Sequence, residues 1–150
     1  MSLELLDLPS RPEKPRASGL TMAIDNGLPG HYFADAIDGA ARYIDVVKFG
    51  WGTALVTEHL REKIDCLHAH DIKFCFGGTL FEKFLVQHRF ESFLEFCHTW
   101  ECDLVEISNG TIPLPNAEKA AYIRKSAREF PVVSEVGLKD AVASESLSAT

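Results

Sequence analysis

The sequence predicts an α/β domain built on a parallel sheet, and three observations support this class. Short apolar segments alternate with longer segments of helical periodicity, which gives five strands joined by four helices. This alternation requires right-handed crossovers between parallel strands. Each strand also ends in a glycine-rich or polar cluster, which is typical of a turn into a helix. A length of 150 residues suffices for one hydrophobic core and one domain.

The first half of the domain contains two strand-helix units. A strand over 20–25 ends at the turn residues Asn26 and Gly27. A helix over 32–42 follows, because its apolar residues recur on one face. The same reasoning predicts a second strand over 44–49. It also predicts a long helix over 53–70.

The second half begins with a strand over 72–76, whose near-continuous apolarity indicates burial on both faces. Thr79 and Glu82 have the spacing of a capping box, which predicts the start of a helix over 79–100. We expect that helix to break near His88. The remaining predicted elements are a strand over 103–108, a helix over 116–129 and a strand over 131–136.

The two ends of the chain differ in composition from the domain between them. Residues 1–18 contain three prolines among basic residues, which predicts a flexible, solvated arm. Residues 141–150 are small and polar and predict a loose tail. The α/β domain is therefore expected over 19–140.

Charge and hydropathy exclude several classes of partner. The net charge is −7 and the basic residues are scattered, so we expect no nucleic-acid partner. No apolar run approaches the ~20 residues that span a bilayer, so we expect no membrane insertion. The first seven residues include acids and lack the basic start of a signal peptide. We therefore predict a cytoplasmic protein.

Two architectures fit five strands and four helices. A five-stranded doubly wound parallel sheet is complete at this length. A (β/α)8 barrel of the TIM type needs ~200 residues or more, so this chain would supply only five of its eight units. Periodicity alone favours the doubly wound sheet. In both folds, ligands bind beyond the carboxyl ends of the strands.

Charged and glycine residues at these strand ends predict an anion or metal site. Glu106 would end a buried strand, and a buried carboxylate requires a cation or a metal. Mg²⁺ binds through one or two carboxylates together with substrate phosphate. Lys48 is a natural counterion for an anion. Backbone N–H groups at Gly77 and Gly78 could attract phosphate, although these residues could equally form a tight turn. Asp25 is most simply a turn residue.

Four segments carry a family resemblance. They are YIDVVKFGWGT at 43–53, GGTLFE at 77–82, VEISNG at 105–110 and SEVGLK at 134–139. In this order they are similar to the phosphosulfolactate synthase family, and the resemblance covers about residues 16–140. It implies the first five βα units of a (β/α)8 barrel in place of a doubly wound sheet.

The resemblance also implies an activity, namely the Mg²⁺-dependent addition of sulfite to phosphoenolpyruvate. The product, phosphosulfolactate, feeds coenzyme M or sulfolactate synthesis. The catalytic residues would be Lys139, as proton donor, with Lys48 and Glu106. Glu106 and Asp25 would hold Mg²⁺. The implied substrate-binding residues are Gly50, Gly52, Gly77, Gly78, Asn109, Ser134 and Glu135.

Family members continue through three further strands. This chain lacks the rim residues of those strands, so we expect impaired catalysis. An unclosed sheet also leaves a strand edge uncovered, so we expect a homo-oligomer. The alternative is a non-enzymatic α/β binding module, as some stress-associated relatives suggest.

Overall fold

The structure is a computed structural model that describes residue 7 and residues 10–137. Strands and helices alternate through these residues, as the sequence predicts. The strands are β1 (Met22–Asp25), β2 (Val46–Phe49), β3 (Lys73–Phe76), β4 (Val105–Ile107) and β5 (Val132–Ser134). The helices are α1 (Gly30–Ala40), α2 (Leu60–Ala69), α3 (Gly78–Leu85), α4 (Phe90–Thr99) and α5 (Asn116–Ser126).

The order of the strands decides between the two predicted architectures. Strands β1, β2 and β3 form one parallel sheet in that order, and β4 pairs with β5 in parallel. A doubly wound sheet reverses direction at β1, which then lies inside the sheet. Here β1 pairs with β2 alone among the described strands, and β4 lies beside β3, so the strands follow one another in one direction, as in a barrel. The partial barrel is confirmed, and the doubly wound alternative is wrong.

The outer face of the strands packs against the helices. Register places Val47 beside Phe74, and Phe49 beside Phe76, with these side chains turned toward the helical layer. Aromatic rings dominate this layer; Phe49 and Phe74 meet edge to face with ring centres 5.8 Å apart. Nearly all the buried apolar residues of the described chain belong to this outer core, so it supplies most of the hydrophobic stabilisation.

The inner face of the strands has a much smaller buried cluster. Val46, Cys75 and Leu104 are buried there. Met22 and Ile24, which share this face on β1, are 37% and 53% exposed. Alternate residues of a strand point to opposite faces, so Lys48 lies on the inner face, between Val46 and the carboxyl end of β2.

Two predicted helices differ from the observed ones. The predicted helix over 53–70 begins only at Leu60. Residues Gly50–Val56 form 3-10 turns instead, and Thr57 separates them from α2 because its backbone is extended, with φ −92° and ψ 111°. The break near His88 is confirmed; His88 itself has a φ of 57° between α3 and α4.

The predicted capping box is wrong. Helix α3 starts at Gly78 with Gly77 as its N-cap, and no side chain caps it. Glu82 is instead buried, at 1% exposure, and its carboxylate contacts the segment that follows β4.

The described part of the N-terminal segment is anchored to the amino ends of β1 and β2. Arg16 donates to the carboxylate of Asp45 at 2.6 Å, and its side chain is only 2% exposed. Arg11 contacts the same carboxylate at 3.2 Å, and the N–H of Thr21 donates to it at 2.8 Å. These contacts differ from the solvated arm that the composition of residues 1–18 predicts.

None of the described helices is both long enough and apolar enough to cross a bilayer.

Candidate active site

A cleft of about 120 Å³ lies at the carboxyl ends of the strands, on the inner face. Its position is where ligands bind in parallel α/β proteins. Residues from five strand ends and their loops meet there. They are Ile24, Lys48, Gly50, Trp51, Gly77, Gly78, Thr79, Glu106 and Glu135.

A buried ion pair forms the floor of the cleft. The ammonium of Lys48 donates to Oε1 of Glu106 at 2.9 Å. The backbone N–H of Gly78 donates to Oε2 of the same carboxylate. Glu106 therefore sits at the positive end of α3, where a negative charge is stabilised. The strand-end carboxylate thus has a cation as partner, and that cation is Lys48, which the sequence suggested only as a counterion for a bound anion.

The charge state of Lys48 follows from this pairing. Burial alone lowers the pKa of an ammonium, but the hydrogen bond and the charge of Glu106 outweigh it and hold the pKa of Lys48 above its ordinary value. The carboxylate of Glu135 contributes in the same direction. The contact with Glu106 therefore favours the charged form of Lys48.

Gly78 must lack a side chain for this geometry to exist. A Cβ at this position would lie 2.6 Å from Cβ of Ser108 and 3.3 Å from Oε2 of Glu106. The first distance is far below van der Waals contact. Gly78 therefore permits the start of α3 to approach the end of β4 closely.

Among the fifth-strand candidates, Glu135 reaches the cleft and Ser134 does not. Ser134 pairs in register with Ile107, which belongs to the outer core, so it lies on the outer face. Glu135 is one residue further along and lines the cleft. The alternation of side chains along β5 separates the two candidates.

The structure does not bring Asp25 and Glu106 together. Asp25 pairs in register with Phe49 and faces the helices. Its Oδ2 accepts a hydrogen bond from Lys63 at 2.6 Å, and its Oδ1 accepts the N–H groups of Gly27 and Leu28. The carboxylate is thus occupied on the outer face, so Asp25 does not fit a metal site shared with Glu106.

Some of the remaining predicted residues line the cleft and others do not. Gly50 and Gly77 line the cleft, whereas Gly52 does not. The side-chain amide of Asn109 donates to the carbonyl of Leu114 at 2.8 Å and accepts from Lys119 at 3.1 Å. Asn109 thus shapes its own loop. Lys139 lies outside the described residues.

Sequence reasoning missed three buried charged residues on the helices: Lys63, Glu82 and Lys119. Lys63 holds Asp25, Glu82 accepts hydrogen bonds from the segment after β4, and Lys119 donates to Asn109 and to the carbonyl of Glu135. Each is a charged residue on a buried side of its helix. That pattern is the signal that could have identified them, because such groups are rarely buried without partners.

The residues of the cleft fit a site for Mg²⁺ shared with a substrate. Within the described chain no cluster of three or more His, Cys, Asp or Glu side chains could hold a metal. Glu106 and Glu135 nevertheless both line the cleft. Each oxygen of Glu106 accepts one hydrogen bond and retains a further lone pair. One or two carboxylates are what Mg²⁺ uses when substrate supplies other ligands.

Comparison with known proteins identifies the family of this chain. A family model described as (2R)-phospho-3-sulfolactate synthase (ComA) matches residues 9–150. The chain belongs to this family. All four motifs that carry the resemblance reach the cleft, through Lys48, Gly78, Glu106 and Glu135.

Curated relatives of the phosphosulfolactate synthase family support the assignment. A phosphosulfolactate synthase of Bacillus subtilis (strain 168) is 56% identical over 91% of this chain and 54% of its own length. Phosphosulfolactate synthases of Methanothermobacter thermautotrophicus and Methanocaldococcus jannaschii are 36% and 38% identical over 88% and 81% of the chain. The chain spans about half the length of these relatives.

Proposed function

We propose that this chain forms part of a phosphosulfolactate synthase site, which adds sulfite to phosphoenolpyruvate with Mg²⁺ as cofactor. The observation that carries the proposal is the cleft in which Lys48, Gly78 and Glu106 meet. Family membership supports the same conclusion. The cleft is smaller than the roughly 300–1,000 Å³ of pockets for larger ligands, so it suits a small anionic metabolite.

In the proposed reaction, the sulfur lone pair of sulfite forms a bond to the methylene carbon of phosphoenolpyruvate. The electrons of the carbon–carbon double bond move toward the carboxylate, and the second carbon then takes a proton. No bond to phosphate breaks. The negative charge that develops on the carboxylate is the charge that the site must stabilise.

The residues of the cleft have separate roles in this proposal. The charged form of Lys48, which the contact with Glu106 favours, would bind an anionic group of the substrate. Glu106, together with Glu135, would hold Mg²⁺, which when bound supplies Lewis-acid stabilisation of developing negative charge. Lys139 remains the proposed proton donor to the second carbon, as the family resemblance implies.

The proposal includes a homo-oligomer in the cytoplasm, where these metabolites would be available. Among the described strands, β1 pairs only with β2, so its other edge is unpaired. Met22 and Ile24 are exposed beside that edge. A second copy would cover them, because unpaired strand edges readily associate. Light scattering at micromolar concentration should give a mass above that of one chain, whereas a monomer would contradict this part.

The experiment for the activity supplies phosphoenolpyruvate, sulfite and Mg²⁺ and detects phosphosulfolactate by mass spectrometry. The Bacillus subtilis relative serves as the positive control, and Lys83→Gln, at an exposed position on α3, serves as the matched variant. We expect less product from the chain than from the relative, equal amounts from the chain and from Lys83→Gln, and a large further loss in Glu106→Gln. Product from the relative but none from this folded chain would overturn the enzymatic proposal and favour a binding module.

A further inference from the structure

Glu82 is a buried carboxylate for which the proposed reaction has no use. It lies on α3, is 1% exposed and does not line the cleft. Among the described residues, it forms no ion pair with a lysine or arginine. A buried carboxylate without a cation is costly unless hydrogen bonds satisfy it.

Four donors from a single short segment satisfy Glu82. Oε1 accepts from the hydroxyl of Ser108 and from the N–H of Gly110 at 2.9 Å. Oε2 accepts from the N–H of Thr111 at 3.0 Å and from its hydroxyl. All the donors belong to residues 108–111, which directly follow β4. The carboxylate therefore fixes this segment against α3.

The chemistry of these contacts requires a carboxylate. An ionised carboxylate has two acceptor oxygens and no donor, whereas a glutamine amide has one acceptor oxygen and an NH₂ donor. In a glutamine at this position, the NH₂ group would face donors of the segment. The site is thus selective for glutamate over an amide of the same shape.

Ser108 connects this contact to the cleft. Its hydroxyl donates to Glu82, and its side chain lies against Gly78, where no Cβ could fit. Gly78 in turn donates its N–H to Glu106. Gly78 and Glu82 are four residues apart on α3 and so share one face of that helix. Helix α3 thus holds the end of β4 at two points, and one of them is the floor of the cleft.

We propose that Glu82 is a positioning residue, which acts through Ser108 to set the contact between Gly78 and the carboxylate of Glu106. It touches neither the cleft nor the substrate. The inference deepens the proposed function and rests on it for one of its two readouts.

The first readout does not depend on activity. In Glu82→Gln, we expect the NMR signal of the Gly78 amide proton to move upfield, because its hydrogen bond to Glu106 weakens. The amide signals of Gly110 and Thr111 should move as well. Glu95→Gln, an exposed position on α4, is the matched control and should leave all three signals in place.

The second readout is turnover of phosphoenolpyruvate and sulfite. Removing a hydrogen-bond partner behind a metal-binding carboxylate typically lowers activity roughly 10–100-fold. We expect a kcat loss in this range for Glu82→Gln, with a much smaller change in KM for phosphoenolpyruvate. Loss of kcat without loss of substrate affinity separates positioning from general damage to the fold.

A second variant keeps the test decisive if Glu82→Gln fails to fold. Thr111→Val removes one hydroxyl donor and leaves the carboxylate in place, so the same shifts should appear with smaller size. Movement of the Gly110 and Thr111 signals without movement of Gly78 would overturn the inference, because Glu82 would then hold only its own segment. If the wild-type chain has no turnover, the proposed function fails, yet the NMR result still decides the role of Glu82.

Discussion

Two ion pairs each join a lysine to a carboxylate on a strand, one on the outer face of the strands and one on the inner face. On the outer face, Lys63 and Asp25 are 2.6 Å apart, and both side chains are 2% exposed. On the inner face, Lys48 and Glu106 are 2.9 Å apart, and the side chain of Lys48 is 16% exposed. The outer pair is sealed by the helices, whereas the inner pair opens into the cleft. The same kind of ion pair is therefore enclosed by helices on one face and, on the other, lines the cleft proposed to bind the substrate.

The outer pair gives the largest expected effect on stability. Lys63→Met removes the cation and leaves the carboxylate of Asp25 buried with only its turn N–H groups. Breaking a buried pair in this way costs about 3–5 kcal/mol. Urea denaturation should show this loss, with Lys83→Met as an exposed control. A loss below about 1 kcal/mol would mean that the outer pair is not sealed from water.

The inner pair gives the next effect, and it falls mainly on activity. Lys48→Met should lower turnover roughly 10²–10³-fold, because a charge that stabilises the developing anion is lost. The free energy of unfolding should fall by only about 1–3 kcal/mol, since Glu106 retains the N–H of Gly78 and contact with the cleft. If Lys48→Met instead leaves turnover nearly unchanged and lowers the free energy of unfolding as much as Lys63→Met does, the inner pair is structural like the outer one.

A third carboxylate, Asp45, extends the comparison to the amino ends of the strands and predicts a pH dependence. Burial favours its neutral form, but the N–H of Thr21 and the guanidinium of Arg16 hold its pKa below the ordinary value. The unfolded state therefore binds the proton first as the pH falls, and stability is lost as the pH falls through the folded pKa. Below about pH 4, wild type should lose stability more steeply than Asp45→Asn.

Parallel slopes of unfolding free energy against pH for wild type and Asp45→Asn would contradict this assignment. Arg42→Gln is a suitable control, because Arg42 forms an exposed pair with Glu13. Pairs of this kind contribute little to stability, typically about 0–1 kcal/mol.

The smallest expected effect comes from Ser134, and comparison with its neighbour Glu135 tests whether the two side chains lie on opposite faces of the sheet. Ser134→Ala should change stability by less than about 0.5 kcal/mol and leave turnover unaltered, because Ser134 is exposed on the outer face. Glu135→Gln, one residue along, should lower turnover. Equal effects of the two substitutions would mean that both side chains reach the cleft.

Periodicity predicted all five strands and placed the helices between them, because burial imposes a period on apolar residues. It could not predict the 3-10 turns at Gly50–Val56, since the extended backbone of Thr57 interrupts a segment that is otherwise apolar at helical spacing. It also favoured the wrong architecture. Both folds share the same alternation of elements, and only the order of the strands separates them.

Only part of the candidate site could be predicted, because the sequence shows where a strand ends but not which face of the sheet a residue at that end occupies. Strand ends are visible in the sequence, so Lys48 and Glu106 could be named. The face that a strand-end residue occupies depends on register, so Asp25 and Ser134 could not be separated from them. The charged residues on the helices act across long distances in sequence. Glu82, for example, matched a local capping pattern but is used by a segment 26 residues away.

The exposed position of Trp51 at the mouth of the cleft gives the protein an optical label. The chain has two tryptophans, and the other, Trp100, is half-buried at the end of α4 with the guanidinium of Arg61 5.0 Å from its ring centre. Trp51 is 63% exposed, so its fluorescence emission lies further to the red. A Trp100→Phe protein therefore carries a single fluorophore beside Lys48, and occupation of the cleft can be followed from its emission alone.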